Sequence, residues 1–241
     1  MVFRFSPATV LLFALWFPIF WRAAMPYHNV PKMTALHLAA FNGHEQQVSS
    51  ILAASKVNID IADETGTYPI IWASMNGHDT VVQMLVHQGA NVNARSGGRR
   101  NALRAACFRG HSKIAQMLLD YGADINAQSR SHETALYAAC YMGHGKIAQI
   151  LVDYGADVKA PASNGKNILL ATLCQSPLSW ATQKGQTVVK ILLATGQVDP
   201  DSKDKGGRSP LWWATQNGDE AIVKTLLATG QVDLDSKDKD S

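Results

Sequence analysis

Residues Asn101 to Gln128 read NALRAACFRGHSKIAQMLLDYGADINAQ. Leu103, Ala106, Ile114, Met117, Leu118 and Ile125 supply the apolar positions of two short helices, and small Ala105 and Ala106 allow close helix approach. Gly110 separates the two helices, where a left-handed backbone costs glycine nothing. Gly122 ends the second helix, and Ala123-Asp124-Ile125-Asn126 turns outward into a loop. Both helices fall well short of the ~12–15 residues an isolated helix needs. Such a unit is stable only against neighbours.

The neighbours are in the chain. A glycine precedes a second helical segment at Gly43, Gly77, Gly110, Gly143, Gly185 and Gly218, at spacings of 34, 33, 33, 42 and 33 residues. A period near 33 predicts one supersecondary unit stacked repeatedly, each copy completing the next one's core. The expected fold is all-α: a solenoid of about six helix-turn-helix repeats with loop fingers. A stack of like parts offers a long surface and no one place where unlike catalytic groups gather.

The 241 residues carry a net charge of +3, too small to argue for nucleic acid as a partner. Arg95, Arg99, Arg100, Arg104 and Arg109 cluster mid-chain and read as a solvated repeat face. The cysteines, Cys107, Cys140 and Cys174, are odd in number. Cys107 and Cys140 lie 33 residues apart at one repeat position. Stacked helices sit about 8–10 Å apart, beyond the ~7 Å Cα limit for a disulfide. They read as packed thiols in a reducing compartment.

These residues resemble the ankyrin repeat, whose pattern is T-P-L-H-x-A, then G-H, then L-L-x-x-G-A-D-V-N-A. The first unit reads Thr34-Ala35-Leu36-His37-Leu38-Ala39 followed by Gly43-His44. The fourth reads Thr134-Ala135-Leu136-Tyr137-Ala138-Ala139, Gly143-His144 and Gly155-Ala156-Asp157-Val158. The sixth has Ser209-Pro210-Leu211-Trp212-Trp213-Ala214, then Leu226-Leu227 and Gly230. The resemblance covers about residues 33–238 and implies a repeat domain over 33–241. NALRAACFRGH and LLATGQVDPDSKD look like the arrays of fungal NACHT-type receptors, although the chain has no G-x-x-x-x-G-K-[ST] loop.

The pattern is broken in places. Ile71, Arg104, Tyr137, Ser179 and Trp212 stand where the family prefers a histidine that ties adjacent loops, so looser interfaces are expected there. The fifth repeat, 161–204, is disrupted. It carries an insert, Asn167 to Gln175, containing Ile168-Leu169-Leu170-Ala171-Thr172, which repeats Ile191 to Thr195. The array also ends on a helix pair with no polar cap after it. That C-terminal face is expected either to meet something or to belong to a truncated array, and the chain is expected to be monomeric unless the face associates.

No chemistry is legible. His44, His78, His111 and His144 form a column with steps of about 10 Å, whereas zinc needs ligands ~2 Å from one ion. Asp199, Asp201 and Asp204 lack the acid spacing of a calcium loop. No serine stands in G-x-S-x-G, and packed thiols are inert. No catalysis, metal or cofactor is expected.

What remains is surface. The ankyrin resemblance implies that the two residues before each G-H step line a concave groove. Carried over, they are Phe41-Asn42, Met75-Asn76, Phe108-Arg109, Tyr141-Met142, Gln183-Lys184 and Gln216-Asn217. Phe41, Met75, Phe108, Tyr141 and Met142 are the residue types that interface centres enrich. Arg109 lies among them, and Arg99, Arg100 and Arg130 on adjacent tips would form a rim that steers an acidic partner. The expected partner is a protein.

The N-terminal 1–32 stands apart. Ala8 to Trp21 reads ATVLLFALWFPIFW, between Arg4 and Arg22. As a helix it would span roughly 21 Å, against a hydrocarbon core of ~30 Å. A signal-peptide core, a membrane anchor leaving the repeats in the cytosol, a helix packed on the first repeat and a misassigned start all stay open. The expected location is cytoplasmic, or membrane-anchored through 8–21.

Overall fold

The computed structural model describes residues 33–54, 57–97, 100–129, 133–160, 184–203 and 207–233. Residues 8–21, Cys174 and the insert at 167–175 lie outside them, as does most of the fifth repeat. Eleven helices stack within the described residues. They are α1 (Ala35–Asn42), α2 (Glu45–Leu52), α3 (Pro69–Asn76), α4 (Asp79–His87), α5 (Ala102–Arg109), α6 (Ser112–Asp120), α7 (Ala135–Tyr141), α8 (Gly145–Asp153), α9 (Lys184–Ala194), α10 (Pro210–Gln216) and α11 (Glu220–Leu227).

Each first helix starts where the sequence pattern places a cap. Thr34, Asn101, Thr134 and Ser209 accept the backbone N–H three residues on, satisfying a donor that the first turn leaves unpaired. Tyr68 offers no side-chain cap, and Pro69 begins α3 instead, where its missing N–H costs nothing. The first helices stack as one row, α1 on α3 on α5 on α7, and the second helices stack as another, α2 through α4, α6, α8 and α9 to α11.

One continuous core runs between the rows. Leu36, Ile70, Leu103 and Leu136 fill it from the first helices, and Leu85, Ile114, Leu118, Ile147 and Leu151 from the second. Burying each such side chain contributes about 1.5–3 kcal/mol. Cys107 and Cys140 are both buried thiols, not joined in a disulfide. Burial pushes the Cys107 thiol far above its ordinary pKa, with the Cys140 charge adding to this, so it stays an unreactive thiol.

The glycine between helices does more than turn the chain. Gly43, Gly77 and Gly110 are left-handed, with φ of 73°, 81° and 86°. A Cβ on them would meet the ring of His78, His111 or His144 at 2.5, 2.6 and 2.8 Å. The histidine of each G-H step therefore packs under the glycine of the repeat before. Gly185 departs from the series: it lies inside α9, which runs to 11 residues, and Gln186 rather than histidine follows it.

Candidate functional site

The backbone under the carried-over groove residues is fixed by that histidine column. His78 Nε2 donates to the Phe41 carbonyl (3.0 Å), His111 Nε2 to Met75 (3.3 Å) and His144 Nε2 to Phe108 (3.3 Å). Asn76 Nδ2 also donates to the Phe41 carbonyl (3.1 Å). The acceptors are carbonyls, so Nε2 carries the proton in each imidazole. Burial holds His111 below its ordinary pKa, opposed by the bond to Met75 and assisted by Arg109 and His78.

The side chains on this scaffold divide into two groups. Phe41 and Met75 are half-buried. Phe41 packs edge-on against Trp72, with ring centroids 5.4 Å apart, and Met75 lies against the core. Phe108, Tyr141 and Met142 are 39, 43 and 40 % exposed. Tyr137 stacks on Tyr141 at 5.9 Å and an interplanar angle of 15°, extending the apolar patch along α7. Small Ala105 and Ala138 on the same helices are buried.

The basic residues also divide. Arg95 pairs with Asp124 across repeats at 3.3 Å. Arg104 pairs with Glu133 of the next loop, and both side chains are largely covered. Arg104 is thus no part of a solvated face. It stands at the family's histidine position and, like a histidine, reaches forward to the next loop. Its Nε is buried without a partner. Arg100 and Arg109 are exposed, and Arg109 has an interaction of its own. Arg99 and Arg130 lie outside the described residues.

The remaining histidine of that pattern, His37, is fully buried. Its Nε2 donates to the Thr67 carbonyl (3.0 Å), and its Nδ1 faces the Thr34 hydroxyl at 2.8 Å. Tyr137 replaces it by stacking. Trp212 replaces it with an edge-to-face contact to Trp213 at 5.0 Å, and the Arg208 guanidinium lies 5.4 and 4.5 Å from the two ring centroids.

Sequence reasoning missed a second set of ties, at the fingers. The Asn91 N–H donates to Asp60 (3.0 Å), Asp124 N–H to Asn93 (2.7 Å) and Asp157 N–H to Asn126 (2.9 Å). Its signal was present: Asp60, Asn93 and Asn126 recur every 33 residues. The finger turns close through Asp63 N–H to Thr67 O, Ser96 N–H to Arg100 O and Ser129 N–H to Glu133 O. Asp63 accepts from Thr65, Thr67 and the Trp72 indole. Burial pushes its pKa up, but these bonds outweigh that and hold it below the usual carboxylate value.

Among the described residues no group of three or more histidines, cysteines and carboxylates could hold a metal ion. Nor is any of their helices long and apolar enough to cross a membrane. The Asp199 carboxylate accepts the Asp201 N–H (2.9 Å), and that of Asp201 faces the Asp233 N–H at 3.4 Å. These acids shape turns.

The family model for ankyrin repeats matches three times, over residues 22–96, 95–162 and 162–238. An ankyrin repeat domain from Acinetobacter baumannii AYE superposes with a TM-score of 0.72 at 32 % identity, covering 81 % of this chain and 97 % of its own. Over 74 residues, 31 % of this chain, the sequence is 35 % identical to the E3 ubiquitin-protein ligase KEG of Arabidopsis thaliana. Over 65 residues, 27 % of this chain, it is 32 % identical to the palmitoyltransferase akr1 of Schizosaccharomyces pombe. Those matches span 5 % and 10 % of the two curated relatives. With three copies of the repeat model spanning nearly the whole array, the chain belongs to the ankyrin repeat family.

Proposed function

We propose that this chain is a non-catalytic, cytoplasmic scaffold that binds a partner protein through the groove face of its first-helix row. One observation carries the reading. Phe108, Tyr141 and Met142 are large, apolar and about 40 % exposed, side by side on stacked helices whose other apolar residues are mostly buried. Solvent-exposed aromatic and methionine side chains on a rigid base are what interface centres use. Phe41 and Met75 contribute edges to the same face. Exposed Arg100 and Arg109 give this side of the array a basic character that favours an acidic partner. The likeness of the loop wording to fungal NACHT-type arrays agrees with a recognition role.

The test is proximity labelling in the native cell with the wild-type chain and a Phe108→Ala/Tyr141→Ala variant. The variant should lose the partner by about 2 kcal/mol or more, while its thermal midpoint stays close to wild type. Retained labelling of the same partner, or unfolding of the variant, refutes the reading.

A further inference from the structure

The first repeat presents an open face. Ala35, Leu38, Gln46, Gln47, Ser50 and Ile51 line a groove along α1 and α2, and none of the six is charged. The repeat spacing identifies what this face lacks. Ile51 is half-exposed, whereas its counterparts Leu85, Leu118 and Leu151 are fully buried by the repeat before them. Leu38 is 45 % exposed, whereas at the same register Trp72 is half-buried and Ala105 and Ala138 are buried.

A complete further repeat does not fit this face. Gln47 stands where Val81, Ile114 and Ile147 bury against the preceding repeat, and a glutamine amide forced into that position costs free energy. Here Gln47 Oε1 pairs with His44 Nδ1 at 3.1 Å, and the Ser50 hydroxyl donates to the Gln46 carbonyl at 2.8 Å. The groove is thus lined by apolar and neutral polar side chains. It suits one apolar segment rather than two helices.

We infer that the occupant is the run Ala8–Trp21 of the same chain. It has no charged residue, matching a lining without charge. Eleven residues, 22–32, connect it to Met33, and they reach about 36 Å when extended. An eight-residue helix such as α1 is about 12 Å long, so the run can lie back over α1 and α2. Contact removes two apolar surfaces from water at once, and the tether raises the local concentration to about the millimolar range. A modest contact is then enough. This inference does not depend on the groove partner.

Photo-cross-linking of the full chain tests it. With Leu38 or Ser50 replaced by p-benzoylphenylalanine, irradiation should join each position to a peptide within residues 8–21 of the same molecule. Leu12→Glu with Phe13→Glu should lower that yield about tenfold or more, since an ionised carboxylate resists burial. Cross-links only between copies, cross-links to lipid when vesicles are present, a mature chain beginning after residue 21, or no link to 8–21 from either position would each overturn the inference.

Discussion

The third repeat, α5 and α6, and the last described one, α10 and α11, are built on the same pattern and end in different states. In the third, Leu103, Ala105, Ala106, Cys107, Ile114, Ala115, Leu118 and Leu119 are buried; in the last, only Ala214, Ile222 and Leu226 are buried apolar helix residues besides Pro210. Leu119 and Leu227 hold the same register, yet Leu119 is covered and Leu227 is 44 % exposed. Gly110 has the His144 ring against it, and Gly218 has no atom where a Cβ would sit. The repeat's sequence supplies the brick, and a neighbour on each side supplies most of the burial.

The largest effect should follow from hollowing a two-sided interface. Leu118→Ala should cost about 2–5 kcal/mol, read from urea unfolding, and Leu227→Ala about 0.5 kcal/mol. Equal costs would break the comparison.

The glycines come next. Gly218→Ala and Gly122→Ala should each cost about 1–2 kcal/mol, the penalty of a left-handed backbone alone. Gly110→Ala should cost more, because its methyl would lie 2.8 Å from the His144 ring. Adding His144→Ala should bring the increment due to Gly110→Ala down to the Gly218→Ala value. An unchanged increment would mean that the ring plays no part.

Ion pairs sharpen the contrast at smaller magnitude. Glu133→Gln, which strips a charge from the covered pair with Arg104, should cost about 1 kcal/mol, and Glu220→Gln, from the exposed pair with Lys224, close to nothing. Acid titration should show the smallest effect. His111 is held below 6.5 and binds its proton less readily than in the unfolded chain. Its contribution is therefore complete above pH 6.5 and is lost as pH falls through its folded value. Asp63, held below 3.8, adds a second loss at lower pH. A His111→Asn variant should show a shallower decline just below pH 6.5, and an equally steep one would contradict the assignment.

Periodicity made most of the fold legible. The glycine spacing, the caps at Thr34, Asn101, Thr134 and Ser209, and the buried faces of α5 and α6 all follow from local chemistry. The G-H histidines were legible as structural residues, but their partners were not, because each carbonyl lies 36 or 37 residues back along the chain. In the sequence Arg104 stands as a loss at a histidine position, and its partner Glu133 lies 29 residues on, in the next finger. The spacing predicts one more break at Gly185, yet without a following histidine the residue lies within helix. Exposure was the hardest quantity to anticipate: Phe41 and Phe108 share one register, yet Phe41, edge-on against Trp72, is half-buried and Phe108 is 39 % exposed, with small Ala138 at the Trp72 register of the repeat that follows Phe108.

Hydroxyl-radical footprinting of the chain with and without its captured partner tests the central claim most directly. Phe108, Tyr141 and Met142 lie on the first-helix row, whereas Tyr121 and Tyr154, 45 and 44 % exposed, stand at the ends of α6 and α8 in the other row. Binding should suppress oxidation of the first three and leave the two tyrosines as reactive as before. Protection of Tyr121 and Tyr154 with Phe108, Tyr141 and Met142 unchanged would place the partner on the opposite row and contradict the account.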